Sequence, residues 1–289
     1  MRRLQRFIGG LKAKRATRRR TLQIRAYLDG DRKPWTSGYL EYKEDRLQEI
    51  LTDREILKCF RRGMTLPPCF GYRMDERFVE YPWLLTRLTP GTGLLLDAGS
   101  ALNHDYLLSH EALKPKTLVI VTLAPERTFP SPRISYLYGD LRKTILKNDC
   151  FDEIACISTL EHVGMNNTLL YTKDRAFDEI SPLDYEQVIV ELKRLLKPGG
   201  RLFITVPFGC YENHGWLQQF DRAMVERVQQ VFEGSSSDIS YYRYNEDGWN
   251  TSTADGCANC RYFDIHRQSG YDPDYAAAAR AVACLELVK

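Results

Sequence analysis

Gly93-Leu94-Leu95-Leu96-Asp97-Ala98-Gly99-Ser100-Ala101-Leu102-Asn103 reads as a buried strand, an acid at its tip, a tight turn and the start of a helix. Three consecutive leucines between a glycine and a run of small residues suit a strand covered on both faces, as in a parallel sheet. Asp97 then stands at the carboxyl end of that strand. Open α/β sheets hold their ligands just beyond those ends, so a carboxylate there is placed to accept hydrogen bonds from a small molecule. Ala98, Gly99, Ser100 and Ala101 let such a molecule approach the backbone. The same eleven residues also fit an ordinary structural turn, and the order of the downstream elements decides between the two.

Beyond this stretch, 103–113 reads as a helix ended by Lys114-Pro115, and 117–122, 134–138 and 151–157 as strands. The third strand of the chain ends in Gly139-Asp140, and the fourth runs into Ser158-Thr159-Leu160-Glu161-His162-Val163-Gly164. A helix over 182–196 stops at Lys197-Pro198-Gly199-Gly200, and a fifth strand covers 201–206. Strands separated by helical segments point to βαβ units and a parallel sheet. Segments 239–244 and 281–288 predict an antiparallel hairpin at its edge, with 245–274 as a long functional connection. Upstream, 45–61 has the apolar spacing of one amphipathic helix, 63–71 with Pro67 and Pro68 is a loop, and 75–85 leads through a further helix to Pro90 and Gly91. Three parts are expected: a basic tail (1–27), a helical cap (28–90) and the sheet domain (91–289).

A chain of 289 residues, 43% hydrophobic and 27% charged, can bury a proper core. No apolar run approaches the roughly 20 residues that cross a bilayer. The basic N-terminus lacks the apolar centre of a secretory signal. The eight cysteines are scattered, and we read them as reduced, in a cytoplasmic protein. Ten of the 41 Lys and Arg fall in residues 1–28, which hold no acid, so the remainder carries 31 basic against 38 acidic side chains. Leu4, Phe7, Ile8 and Leu11 fall at helical spacing among those arginines. The tail is therefore either a basic amphipathic segment for an anionic surface, such as the inner face of a membrane, or a solvated extension.

Leu94 to Ser100, Tyr138-Gly139-Asp140-Leu141, Phe151-Asp152-Glu153-Ile154 through Leu160-Glu161-His162-Val163, and above all 192–200 with the strand after it, resemble the motifs of class I S-adenosylmethionine-dependent methyltransferases. The resemblance spans about residues 90–210. It implies a Rossmann-like, mostly parallel sheet with an antiparallel edge hairpin, carrying here an N-terminal helical cap. S-adenosylmethionine is the implied cofactor. Asp97, Gly99 and Ser100 would meet its methionine part, Asp140 with Leu141 its adenine, Asn103 would also contact the cofactor, and Thr159 and Leu160 would line the cleft. Ala101 stands where the family usually has a second glycine. Thr122 stands where an acid usually binds the ribose hydroxyls, a task Glu126 would then take up. Segment 28–90 and the 276–289 ending loosely resemble methyltransferases encoded among polysaccharide and glycan biosynthesis genes, which implies O-methylation of a sugar, glycan or related hydroxyl.

Methyl transfer to a hydroxyl needs alignment and a base. Of five histidines, His162 lies just past strand four with Glu161 beside it, and His214 follows strand five at the same rim. Each reads as base or acceptor-orienting group, or as a holder of its loop. His104 reads as a backbone or cofactor contact and His110 as a helix-surface residue. Glu161, His162 and His214 together suit a divalent metal, and Cys257 and Cys260 with His266 resemble half a zinc site; no metal is the preferred reading. Tyr241, Tyr242, Tyr244 and Trp249 fit core and rim, or a sugar-stacking platform. An RNA or protein methyltransferase is the alternative, disfavoured by an acidic body, and a non-catalytic binding member of the fold is another. A dinucleotide-dependent oxidoreductase is disfavoured by the lack of GxGxxG.

Overall fold

The computed structural model describes residues 2–169 and 171–289, with side chains from Arg15 onward. Its sheet is built on β1 (Leu94–Ala98), β2 (Thr117–Thr122), β3 (Ile134–Tyr138), β4 (Phe151–Ile157) and β5 (Leu196–Pro207), all parallel. A short pair, β6 (Glu212–Asn213) and β7 (Gln218–Gln219), comes next in the chain, then β8 (Ser236–Asn245), β9 (Gly248–Ser252) and β10 (Ala281–Val288). The strand order is 3-2-1-4-5-10-8-9, with β10 antiparallel to both its neighbours. This is a Rossmann-like, mostly parallel sheet with an antiparallel edge, as expected.

Several local expectations change. β8 and β10 do pair, Val282 opposite Tyr242, but the outermost strand is β9, which lies within the segment expected to be a long connection. Glu246 and Asp247 make the tight reversal between β8 and β9, and Gly248 just after them takes φ +110°. No helix connects β2 to β3 or β3 to β4. The helix expected over 103–113 shrinks to α5 (Asp105–Leu108), because the His110 ring takes the Ala112 N–H on one nitrogen and donates the other to the Leu51 carbonyl. His110 is thus a bridge to the preceding helices, not a surface residue.

Upstream lie α1 (Arg2–Asp29), α2 (Tyr39–Thr52), α3 (Arg54–Arg62) and α4 (Arg77–Leu85). The single helix expected over 45–61 is two, broken at Asp53, whose carboxylate caps the N–H groups of Glu55 and Ile56. The Leu4, Phe7, Ile8 and Leu11 stripe lies outside the residues whose side chains are described. Arg20 on α1 pairs with Glu44 and Asp45 of α2. Among the described residues no helix is long and apolar enough to cross a membrane.

Alternation along β1 divides the core. Leu95 faces Tyr39, Phe60, Phe78 and Trp83 of the N-terminal helices, with Ile120 and Phe203 from the sheet. Leu96 and Ala98 face Val188 and Leu192 of α6 (Tyr185–Leu195) and Val225 and Phe232 of α7 (Arg222–Phe232). Two polar ties fasten the N-terminal segment to the sheet. Glu80 on α4, fully buried, accepts the Thr205 hydroxyl at 2.6 Å and pairs with Arg77. Glu153 on β4 accepts Lys116 Nζ at 2.7 Å, Arg201 Nη2 at 2.5 Å and the Thr89 N–H at 2.8 Å.

Glu153→Ala leaves the buried Lys116 ammonium without its counter-ion and should cost about 3–5 kcal/mol. Urea unfolding followed by circular dichroism measures this; an unchanged midpoint would mean that this network does not tie the sheet.

Candidate functional site

The chain reverses its winding between β3 and β4, so β1 is flanked by β2 on one side and β4 on the other, and a crevice opens beyond their carboxyl ends. The turn after β1 meets the turn after β4 there. Gly99 sits at φ +109°, and a Cβ on it would overlap the Thr159 side chain. Ser100 follows at φ +62°. Asp97 is fully buried: its Oδ2 accepts the Leu102 N–H at 2.9 Å, while Oδ1 has no partner. Burial pushes its carboxyl up to about 8.

Two cavities open at this rim. The first, about 80 Å³, is lined by Gly99, Thr122, Gly139, Asp140, Leu141 and Thr159, and is closed over by Tyr171, Phe177 and Glu179. The second, about 540 Å³, is walled by Trp35, Glu76, Arg77, Glu161, Trp216 and Tyr262, among others. Ser158, His162 and Tyr171 line both.

His162 therefore stands in the partition. Its Nδ1 lies 2.9 Å from the Trp216 carbonyl, an acceptor only, so Nδ1 carries the proton and Nε2 keeps its lone pair. The ring stacks on Trp216 and meets Tyr171 edge-on. Burial, helped by Arg77, holds its pKa down at about 4, so the ring is neutral at physiological pH. Glu161 is 2% exposed; its Oε1 accepts the Ser158 hydroxyl at 2.6 Å and its Oε2 has no partner. Burial pushes Glu161 up to about 8, and Glu76, whose Oε2 is likewise unpartnered, to about 7.

Of the residues expected at the site, Gly99, Thr122, Asp140, Leu141, Thr159 and His162 line the first cavity, and Glu161 and His162 the second. Asp97, Ser100, Asn103 and Leu160 frame the rim instead. Asn103 accepts the Tyr136 hydroxyl and donates to the Arg127 carbonyl, and Leu160 is buried. Both Asp140 oxygens are taken by Arg142, which also grips Glu179 and Asp184 and so fastens the 163–184 excursion over the cavity. Glu126 is exposed and lines neither cavity.

His214 also lines neither. Its Nδ1 is 3.0 Å from Asp264 Oδ2, which takes the Trp216 indole N–H at 3.2 Å, so it braces the wall of the second cavity from behind. Among the described residues no three His, Cys, Asp or Glu side chains converge as metal ligands. Glu161, His162 and His214 do not form such a group, nor do Cys257 and Cys260 with His266, whose ring packs on Trp216. Sequence reasoning missed Trp35, Glu76, Arg77, Tyr171 and Tyr262. Only the unusual length of the 245–274 connection signalled Tyr262.

Residues 114–204 match a family described as a methyltransferase domain, which takes in β2 to β4, α6 and the cavity-lining turns after β3 and β4. The match covers 91 of the 289 residues, so the likeness is to part of the sheet, from β2 into β5. Comparison with curated proteins returned no match. Similar solved structures include a chain of the complex between the Haloferax volcanii Trm112 methyltransferase activator and a methyltransferase (13% identity, 75% of this chain and 89% of that one, TM-score 0.45). Another is the Burkholderia thailandensis 1,6-didemethyltoxoflavin-N1-methyltransferase with bound 1,6-didemethyltoxoflavin and S-adenosylhomocysteine (13%, 96% and 89%, 0.41). A third is the Haemonchus contortus phosphoethanolamine N-methyltransferase 2 in complex with S-adenosyl-L-methionine (13%, 68% and 45%, 0.38).

A carboxyl raised from about 4.5 to about 8 holds its proton in the folded protein while the unfolded chain has lost it, so folding stability falls as pH rises through that window. Relative to Glu161→Gln, the native protein should lose on the order of a few kcal/mol between pH 5 and roughly 8. Urea titrations of both proteins at the two pH values measure the difference; a pH-independent gap would mean that Glu161 is ionised in the folded state.

Proposed function

We propose that the protein transfers the methyl group of S-adenosylmethionine to a hydroxyl of a sugar, glycan or related small molecule. The observation that carries this reading is the pair of cavities meeting at Ser158, His162 and Tyr171: a donor chamber at the switch point and a larger acceptor chamber beside it. S-adenosylmethionine supplies an electrophilic methyl on a sulfonium, open to in-line displacement.

The residues present suit that donor. Asp97 keeps an unpartnered buried oxygen beside the turn that would hold the methionine part. Gly139 lines the donor chamber, and a Cβ added to it would meet nothing within 4 Å, which leaves space beside Asp140 and Leu141 for a flat base. Thr122 offers a hydroxyl toward the ribose in place of the usual acid. The donor chamber is smaller than the roughly 300–1,000 Å³ of small-molecule sites, so admitting a nucleoside means moving the 163–184 excursion outward.

The chain's own contribution to the reaction lies in alignment, dryness and one proton. His162 Nε2, neutral and unprotonated, accepts a hydrogen bond from the acceptor hydroxyl, orients its lone pair and takes its proton as the hydroxyl becomes an ether. A base this weak suffices because the hydroxyl becomes strongly acidic once the methyl bond begins to form. Tyr171 and Trp216 shut water out around it. In the acceptor chamber the rings of Trp35, Trp216 and Tyr262 alternate with Glu76, Glu161 and His266, a mixture that suits a sugar's apolar face and its hydroxyl rim. Among the described residues Arg77 is the single Lys or Arg on that wall and is paired with Glu80, which disfavours the phosphates of RNA.

Calorimetry should show one S-adenosylhomocysteine per chain with a Kd on the order of micromolar and no binding of NAD. Gly139→Phe should abolish that binding with little change in melting temperature. His162→Ala should keep it within about threefold yet slow formation of S-adenosylhomocysteine from S-adenosylmethionine on a set of free monosaccharides by roughly 10²-fold or more. Undiminished binding by Gly139→Phe would displace the donor from this chamber, and full turnover by His162→Ala would remove that residue from the chemistry.

A further inference from the structure

The acceptor chamber is charged in one direction. Arg77 is neutralised by the fully buried Glu80, and Lys43, whose ammonium stands 5.7 Å from the Trp35 ring, is paired with Asp75. Among the described residues Glu76 and Glu161 form no ion pair, although the Arg77 charge reaches both, and each keeps an oxygen without any hydrogen bond. A buried acceptor left unpaired is costly, so the chamber is incomplete until a donor enters. Tyr262 lies close enough to interact with both carboxyls. Trp35, Tyr171, Trp216 and Tyr262 surround the same space, and aromatic faces attract a cation.

Resting on the methyl-transfer reading, we infer that the acceptor carries an ammonium group, seated between Glu76 and Glu161 against these rings, and is therefore an amino sugar or a hydroxylated amine. An ammonium brings three hydrogen-bond donors and the positive charge both carboxyls lack. A phosphorylated acceptor would meet two carboxyls and, among the described lining residues, no cation free of a partner. Burial keeps Glu161 and Glu76 raised toward neutrality in the empty chamber, and a cation between them draws both back to the charged form. An ammonium held as an ion pair has no lone pair to take a methyl group, which directs the reaction to a hydroxyl of the same molecule.

The test is calorimetry on the full chain, with and without S-adenosylhomocysteine, using glucosamine against glucose, ethanolamine against ethylene glycol, and glucose 6-phosphate. The ammonium member of at least one pair should bind roughly tenfold more tightly than its neutral counterpart. Glu161→Gln should reduce that preference to about twofold or less. Glu76→Gln should weaken it as well, and serves alone if the first variant does not fold. Equal affinity within both pairs, binding by neither amine, preference for the phosphate, or a preference that survives both substitutions would overturn the inference. Binding of S-adenosylhomocysteine without an ammonium preference retires this inference and leaves methyl transfer standing; an ammonium preference without S-adenosylhomocysteine binding does the reverse.

Discussion

Everything at the rim depends on how closely the turn after β1 packs against the turn after β4. Gly99 at φ +109° lies against Thr159 with no room for a side chain between them. That contact fixes two loops, 60 positions apart in the chain, as opposite sides of one crevice. The β1 turn is itself held by Asp97 on the Leu102 N–H, and the β4 turn by the Glu161 bond to Ser158 and the His162 bond to Trp216. Opening the gap by one methyl group would separate the donor chamber from the residues that face the acceptor.

Charge is distributed to match. Around the donor chamber one cation, Arg142, is shared among Asp140, Glu179 and Asp184, which ties a long excursion down over the space a nucleoside would use. Around the larger chamber Glu76 and Glu161 form no ion pair among the described residues, since Arg77 on the same wall is paired with Glu80. The first arrangement stabilises a closed cover and the second leaves an unmet demand inside the molecule. A neutral His162 between the chambers neither repels a sulfonium nor competes for the carboxyls.

The strands and the turns that line the smaller cavity were largely legible because they are local. Three leucines ending in an acid, and a tip of Ser158 to His162 after β4, declare their positions within a few residues. The larger cavity was not, since Trp35, Glu76 and Arg77 reach the crevice only because α2 to α4 cover one face of the sheet. Their own neighbourhoods read simply as a turn and a helix start. The excursion over the donor chamber has no apolar period to read, being held by Arg142 and by backbone bonds such as Ser181 to Gly164. His214 misled for the opposite reason: its place after β5 is at the rim, but Asp264, fifty residues on, holds its ring behind the wall. β9 was lost because a two-residue reversal at Glu246-Asp247 lay inside a stretch judged by its length.

A crystal structure with S-adenosylhomocysteine tests the central claim most directly. Adenine should lie beside Asp140 and Leu141, and the sulfur at the opening bounded by Ser158, His162 and Tyr171, pointing into the chamber walled by Trp35, Trp216 and Tyr262. A ligand bound elsewhere, or one whose sulfur faces away from that chamber, would contradict it.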